Sequence, residues 1–230
     1  MPIIIILLIL LILGILYLPN VWAQRTFKRY ATPREDFPGN GAELARHLLD
    51  KFEMTHVKVE QTEVGNDHYD PQDKVVRLGV NNYADKSLTA ITVAAHEVGH
   101  AIQDHRHEAM LAYRVRLVAI ANVIQKVGAG ILIVLPVIAI ITRSPVLGTL
   151  FFLAGFASMG VASIVHLITL PVELDASFNK ALPMLIKGEY IEKKDHKAAR
   201  KILKAAAFTY VAASLASLLN LWRWIAILKR

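Results

Sequence analysis

His96-Glu97-Val98-Gly99-His100 is the stretch on which the reading of this chain turns. On a helix, residues four apart lie one above the other on one face. Both imidazoles can therefore reach one metal ion, and the glutamate beside the first can reach that ion's water. The pattern is that of a zinc hydrolase. With 9 His in 230 residues, chance places about 0.015 such pentads in a chain of this length, so a surface helix that merely carries these residues is a weak rival. Ser87 stands ahead of the pattern as an N-cap, and Leu88, Ile91, Thr92 and Ala95 carry it into the pentad. The spacing predicts one buried helix running on to about Arg116. Gly99 costs about 1 kcal/mol of helix propensity relative to Ala; it either lets another backbone approach the metal face or serves ordinary packing.

Outward from the pentad, composition changes sharply along the chain. Apolar residues make up 54% of it, concentrated in blocks at Ile3–Leu18, Gly128–Thr142 and Val146–Leu170, which a water-facing domain core does not require. These blocks predict a mostly α membrane protein with three to four transmembrane helices, and the pentad outside them marks a small α+β, zincin-like (His-Glu-x-x-His with a Glu ligand) metallopeptidase domain. The expected organisation is an N-terminal transmembrane anchor at 1–23, a catalytic region at 24–116, a transmembrane hairpin at 117–170, a third-ligand segment at 171–204 and a C-terminal membrane helix at 205–230. Val21-Trp22-Ala23 resembles a signal-peptide cleavage site, but no basic residue precedes the apolar run while Arg25, Lys28, Arg29 and Arg34 follow it. An uncleaved anchor is the reading that fits.

The formal charge of +7 does not indicate a nucleic-acid face. Residues 24–116 hold 13 basic against 14 acidic side chains, and the surplus lies beside the apolar blocks, as in 171–204 with 8 basic against 5 acidic. No nucleic-acid partner is expected. Both basic segments fall on one side of the expected hairpin, which predicts a multi-pass protein of the cell membrane with its site facing the cytoplasm. With no cysteine in the chain, disulfides, thiolate metal sites and cysteine nucleophiles are excluded, and any metal must be held by His and carboxylate.

Between the first apolar block and the pentad, Ala42–Phe52 has helical spacing, Val57–Glu60 alternates like a short strand, and His68-Tyr69 and Lys74–Leu78 flank the turn-forming Asp70-Pro71-Gln72-Asp73 as a hairpin-like segment. A catalytic zinc takes three protein ligands and keeps one position for water, so a third ligand is required. Gln103 and Arg106 occupy the positions where a metzincin has glycine and histidine. His105 and His107 are off the pair's face, and Glu108 lies about 12 Å along the axis from His100 at 1.5 Å per residue. Glu173, just past Pro171, can project from a new helix start. Taken alone it reads equally as a carboxylate paired with a lysine; the histidine pair's need for a partner favours the ligand. Asp175 is its nearest competitor, and His166 is read as a histidine satisfied inside a helical bundle.

Asp67-His68-Tyr69-Asp70-Pro71, Lys74-Val75-Val76-Arg77-Leu78, His96-Glu97-Val98-Gly99-His100-Ala101-Ile102-Gln103 and Leu170-Pro171-Val172-Glu173-Leu174-Asp175-Ala176-Ser177 together resemble the YugP-like family of bacterial membrane neutral zinc metallopeptidases. The likeness covers nearly the whole chain. More remotely the chain is similar to HtpX-type membrane proteases, whose third ligand is a glutamate in a Glu-x-x-Ala-Asp pattern: Glu173 matches that glutamate and Ala176 the alanine, while Ser177 stands where the aspartate would be. The substitution opens the question of what orients the metal-binding histidines.

The expected activity is zinc-dependent endopeptidase hydrolysis with one Zn2+, ligands His96, His100 and Glu173, and Glu97 as general base. The β segment would hold an extended substrate, with His68 or Tyr69 donating to the oxyanion. Expected partners are a protein or peptide substrate, membrane-proximal or unfolded, and membrane lipid. The competing readings are a non-catalytic membrane scaffold with a closed structural metal site, to which Asp175 could add a fourth ligand, and a membrane-surface amide or ester hydrolase using the same residues.

Overall fold

In α4 (Leu88–His105) every residue from Leu88 to Gln103 is buried, the condition of a helix enclosed on all sides rather than laid on a surface. Its start matches expectation, because Ser87 Oγ accepts from the Ala90 N–H at 3.1 Å and so satisfies one of the orphan donors of the first turn. Its end does not. The expected continuation to Arg116 is broken at Arg106–Glu108 by a Schellman motif: the Glu108 N–H donates to Gln103 O at 2.9 Å and the His107 N–H to Asp104 O at 2.9 Å. His107 takes the left-handed conformation at φ 53°, where glycine is usual.

The structure is a computed structural model, and it describes residues 2–142, 144–209 and 211. The other helices are α1 (Pro2–Arg29), α2 (Gly41–Lys51), α3 (Val80–Ala84), α5 (Ala109–Thr142), α6 (Pro145–Leu174) and α7 (Leu182–Lys187), with a π-helix at Asp175–Ala181 between the last two. A further helix, α8, covers residues 196–209. Asn40 opens α2 with a reciprocal capping box to Glu43.

Strands β1 (Lys58–Thr62), β2 (His68–Asp70) and β3 (Val75–Gly79) make a three-stranded sheet in the order β1-β3-β2. The expected hairpin forms: β2 pairs antiparallel with β3, Tyr69 opposite Val76. Asp70 Oδ1 closes its turn by accepting from the backbone N–H groups of Gln72 and Asp73, the local bond that makes aspartate a turn former. The parallel pairing of β1 with β3, Val59 opposite Val76, puts β3 in the centre. This is why four of its five residues are buried while β1 is largely exposed.

Two compact units are distinguished, one of Asn20–Ala112 with Pro171–Thr209 and the other of Met1–Pro19, Tyr113–Leu170 and Tyr210–Arg230. In the first, Leu44, Leu48 and Leu49 of α2, Val76 and Leu78 of β3, Ile91, Ala94 and Val98 of α4, and Leu185, Ile202 and Leu203 from beyond the π-helix share one hydrophobic core. Chain segments on either side of residues 113–170 thus fold around α4 together.

The second unit corrects the expected architecture. Among the described residues, no helix is long and apolar enough to cross a membrane, against the expected three to four transmembrane helices. The anchor at 1–23 and the hairpin at 117–170 are therefore not supported as spans, nor is the multi-pass membrane placement with a cytoplasm-facing site. A span needs about 20 consecutive apolar residues in one helix. In α5 Asn122, Gln125 and Lys126 interrupt the run, and in α1 Pro19 and Asn20 follow a block of only 16 residues. In α6 most side chains between 151 and 167, including that of His166, lie outside the described set. The expected membrane helix at 205–230 also falls largely outside the described residues.

Candidate metal centre

His96 and His100 stand one turn apart on the buried α4, and their rings meet edge to face with centroids 4.8 Å apart. Opposite them is Glu173, in the last turn of α6 and fully buried. Its Oε2 is 3.2 Å from His96 Nε2 and 3.1 Å from His100 Nε2. These are the only three His, Cys, Asp or Glu residues among those described whose ligand atoms gather this closely, all within 4.8 Å of one another.

Two features of the backbone bring Glu173 there. The π-helix at Asp175–Ala181 widens the turn directly after it, a geometry that often marks functional sites. Gly99 lets α4 and the π-helix meet: a Cβ on Gly99 would stand 2.8 Å from Ala176 O, closer than side-chain carbons and backbone oxygens approach. Of the two roles open to this glycine, close backbone approach is the one the structure displays.

The remaining ring nitrogens are held as well. His96 Nδ1 lies 3.1 Å from Ser177 Oγ, so Ser177 contacts the histidine from four residues after Glu173. His100 Nδ1 lies 2.8 Å from Gln103 Oε1. Gln103, almost fully buried, donates its amide to Val172 O at 3.0 Å and Asp175 Oδ2 at 2.7 Å.

Asp175 Oδ2 also accepts from Lys180, and its Oδ1 from Asn179 at 2.9 Å. Burial pushes the Asp175 carboxyl up, but hydrogen bonds from Lys180, Gln103 and Asn179 outweigh it and hold the group at about 2. Lys180, itself buried, makes a second ion pair to Glu108 at 3.0 Å.

The donor set fits zinc on two counts. An ion with bonds of about 2.0–2.1 Å in tetrahedral geometry sets its ligand atoms about 3.3–3.4 Å apart; the nitrogen-to-oxygen separations found here are within about 0.3 Å of that, and all three ligand atoms lie within 4.8 Å of one another. Both imidazoles can donate Nδ1–H to a neighbouring oxygen, which turns the Nε2 lone pairs toward Glu173. Lone pairs that converge on a carboxylate oxygen repel it unless a positive charge stands between them.

The chain matches a family described as "Putative neutral zinc metallopeptidase" over residues 3–229. It belongs to this family. It is also 34% identical over 214 residues to the "Putative membrane protease YugP" of Bacillus subtilis strain 168, a match covering 90% of this chain and 91% of that one. No solved structure matches.

For a member of a zinc metallopeptidase family, the scaffold alternative with a closed four-ligand site is not favoured, because Asp175 is engaged by Gln103, Asn179 and Lys180 instead. Glu97, next to His96 on α4, is buried, 5% exposed.

The two residues suggested for substrate binding lie on β2 and have their own partners. His68 Nδ1 bonds Asn66 O at 2.8 Å. The Tyr69 hydroxyl donates to Asp104 Oδ2 at 2.5 Å, beside Lys74 Nζ on the same carboxylate at 2.6 Å. Burial and the Asp104 carboxylate together push the Tyr69 phenol well above its usual range. His105 and His107 are exposed.

Reading the sequence did not single out Gln103 as part of the site. The available signal was its place three residues after His100 on a helix, the spacing of side chains that meet on one face.

Proposed function

We propose that this protein is a zinc-dependent endopeptidase in which His96, His100 and Glu173 hold one ion and Glu97 is the general base. The observation that carries the reading is the gathering of two histidine Nε2 atoms and one carboxylate oxygen on three buried side chains, with the far ring nitrogens held by Ser177 and Gln103. Zinc bound there would supply a water of lowered pKa and polarise the scissile carbonyl. Glu97 takes a proton from the attacking water on a carboxylate oxygen and delivers it to the leaving amine nitrogen.

The substrate class is an extended or unfolded polypeptide. Strand β1 has its partner β3 on one side only, and an edge strand can accept an added peptide strand. The test uses the purified protein with zinc on an unfolded casein-type substrate, beside Glu97→Gln. The expected result is unchanged zinc content and a loss of turnover of at least about 100-fold, the scale of general-base contributions. Cleavage retained by Glu97→Gln, or unaffected by a chelator, would overturn the mechanism.

A further inference from the structure

A histidine that binds metal through Nε2 must carry its proton on Nδ1, and an imidazole with no partner does not make that choice for itself. In this site the choice is made at His100 by a group that has no proton to give. Gln103 Oε1, an acceptor, faces His100 Nδ1 at 2.8 Å. The amide cannot be turned around: its Nε2 faces Val172 O at 3.0 Å and Asp175 Oδ2 at 2.7 Å, both acceptors, and a flip would oppose oxygen to oxygen at each. The bonds of Gln103 therefore dictate that His100 donates from Nδ1, which leaves Nε2, 3.1 Å from Glu173 Oε2, as the nitrogen that would take the metal.

The same amide ties the two halves of the site together. Val172 immediately precedes Glu173, and Asp175 follows it by two residues. By bonding both, Gln103 spans from the helix of the histidines to the Val172 carbonyl before the Glu173 carboxylate and the Asp175 side chain after it. Asp175 is anchored from its other side by Lys180, which Glu108 also holds. His96 has a weaker arrangement, because a serine hydroxyl can either donate or accept and so does not select a tautomer by itself.

We propose that Gln103 is a positioning residue of the metal centre, which fixes the Nδ1–H tautomer of His100 and sets Glu173 at its distance from the histidine pair. The inference rests on the reading of this site as zinc-binding. Groups that orient metal ligands from behind are worth 10- to 100-fold in metal affinity when removed.

The test measures zinc affinity by competition with a chromophoric chelator, and histidine tautomers by long-range proton–nitrogen NMR of imidazole-labelled protein. Wild type, Gln103→Met and Gln103→Glu are compared. Gln103→Met keeps length and volume but removes both functions. Zinc affinity is expected to fall about 10- to 100-fold, and His100 is expected to lose its Nδ1–H signature in the zinc-free protein. Gln103→Glu keeps an acceptor toward His100 but places an oxygen against Val172 O and Asp175. It should retain the tautomer and still lose affinity, which separates the two roles. Adding Asp175→Asn to Gln103→Glu returns a donor to the 103–175 contact and should recover part of the loss.

Wild-type affinity in either folded single variant, or an unchanged His100 tautomer in Gln103→Met, would overturn the proposal. If Gln103→Met does not fold, the Gln103→Glu pair decides: loss without recovery by Asp175→Asn refutes the tie to the Glu173 segment. Failure of the wild type to bind zinc would instead refute the metal-site reading, a distinct outcome read in the first titration.

Discussion

Gly99→Ala is the smallest perturbation that tests how the metal centre is assembled. The added Cβ would stand 2.8 Å from Ala176 O, and 3.4 Å from the Ala176 carbonyl carbon and Cα. Relieving the first contact to an ordinary carbon–oxygen separation requires α4 and the π-helix to part by about 0.5 Å, because neither atom is the end of a flexible side chain. Ala176 lies between Glu173 and Ser177 in sequence, so a displacement there carries the proposed third ligand and the His96 partner away from the histidines together. Overpacking costs about 1–3 kcal/mol, and replacing a helical glycine by alanine returns about 1 kcal/mol. The net loss of stability is therefore about 0–2 kcal/mol, a fall in melting temperature of at most about 8 °C at 2–4 °C per kcal/mol for a chain of this size.

Function is expected to suffer more than stability. Catalytic and metal constellations tolerate about 0.5 Å before losing their geometry, so the variant should fold yet bind zinc at least about 10-fold more weakly, the lower end of the effect of disturbing groups behind a ligand. The measurements are chelator-competition titration and thermal unfolding of the zinc-free protein. A Gly99→Ala protein with wild-type zinc affinity and an unchanged or raised melting temperature would show that the close approach of α4 to the π-helix does not hold the site.

Three further outcomes follow from the same structure. Ser177→Ala removes the partner of His96 Nδ1 at 3.1 Å while leaving the Gln103 bond to His100, so zinc affinity should fall at the low end of the 10- to 100-fold range; titration of this variant beside wild type checks it. Removing zinc should lower thermal stability, since a ligand present at 100 times its dissociation constant stabilises by about 2.7 kcal/mol. At about 2–4 °C per kcal/mol the loss is about 5–11 °C, to be reversed by adding zinc back, and a chelator-insensitive melting temperature would contradict the site. Tyr69 has its phenol pushed above the usual value near 10 by burial and by Asp104. The stability it contributes is therefore fully present below pH 10 and is lost as the pH rises through the raised value. In an ultraviolet titration of the 7 tyrosines, one should ionise later than the exposed ones, and that late component should vanish in Tyr69→Phe.

What could be read from the sequence, and what could not, divides along physical lines. The α4 start was legible because Ser87 is a cap whose bond is local, and the β2–β3 hairpin because Asp70 closes its own turn with backbone three residues away at most. The end of α4 was not, because its Schellman motif puts His107 where glycine normally signals the stop. The helix also continues to look helical across the break, with Ala109 starting α5 two residues after His107. Apolar blocks counted by residue type over-predicted membrane spans, since a block records composition, while a span requires an uninterrupted apolar helix of sufficient length. The approach of Glu173 to the histidine pair was anticipated from the coordination number zinc requires and from the motif resemblance around Pro171, not from any local pattern that places the two segments together. The π-helix that delivers it has no composition rule to announce it.

The chemistry of the site was legible in its donors and hidden in their supports. His96, Glu97 and His100 announce themselves by residue type and spacing, because few other tasks need that combination. Gln103, Ser177 and Asp175 do not, because amides, hydroxyls and carboxylates are ordinary on any helix. What distinguishes them is burial and direction. Gln103 has its amide nitrogen committed to two acceptors of fixed position and its oxygen facing His100 Nδ1. A surface glutamine satisfies the same groups with water and specifies nothing. The functional content of this residue is therefore created by the fold, when the helix break after His105 and the π-helix after Leu174 enclose the amide between two chain segments about seventy residues apart. The same enclosure makes the centre sensitive to substitutions that never touch the metal-facing nitrogens. Changes at Gly99, Gln103 and Ser177 should weaken zinc binding while leaving His96, His100 and Glu173 intact, whereas an exposed three-ligand site with no built support would lose affinity only when a ligand itself is replaced.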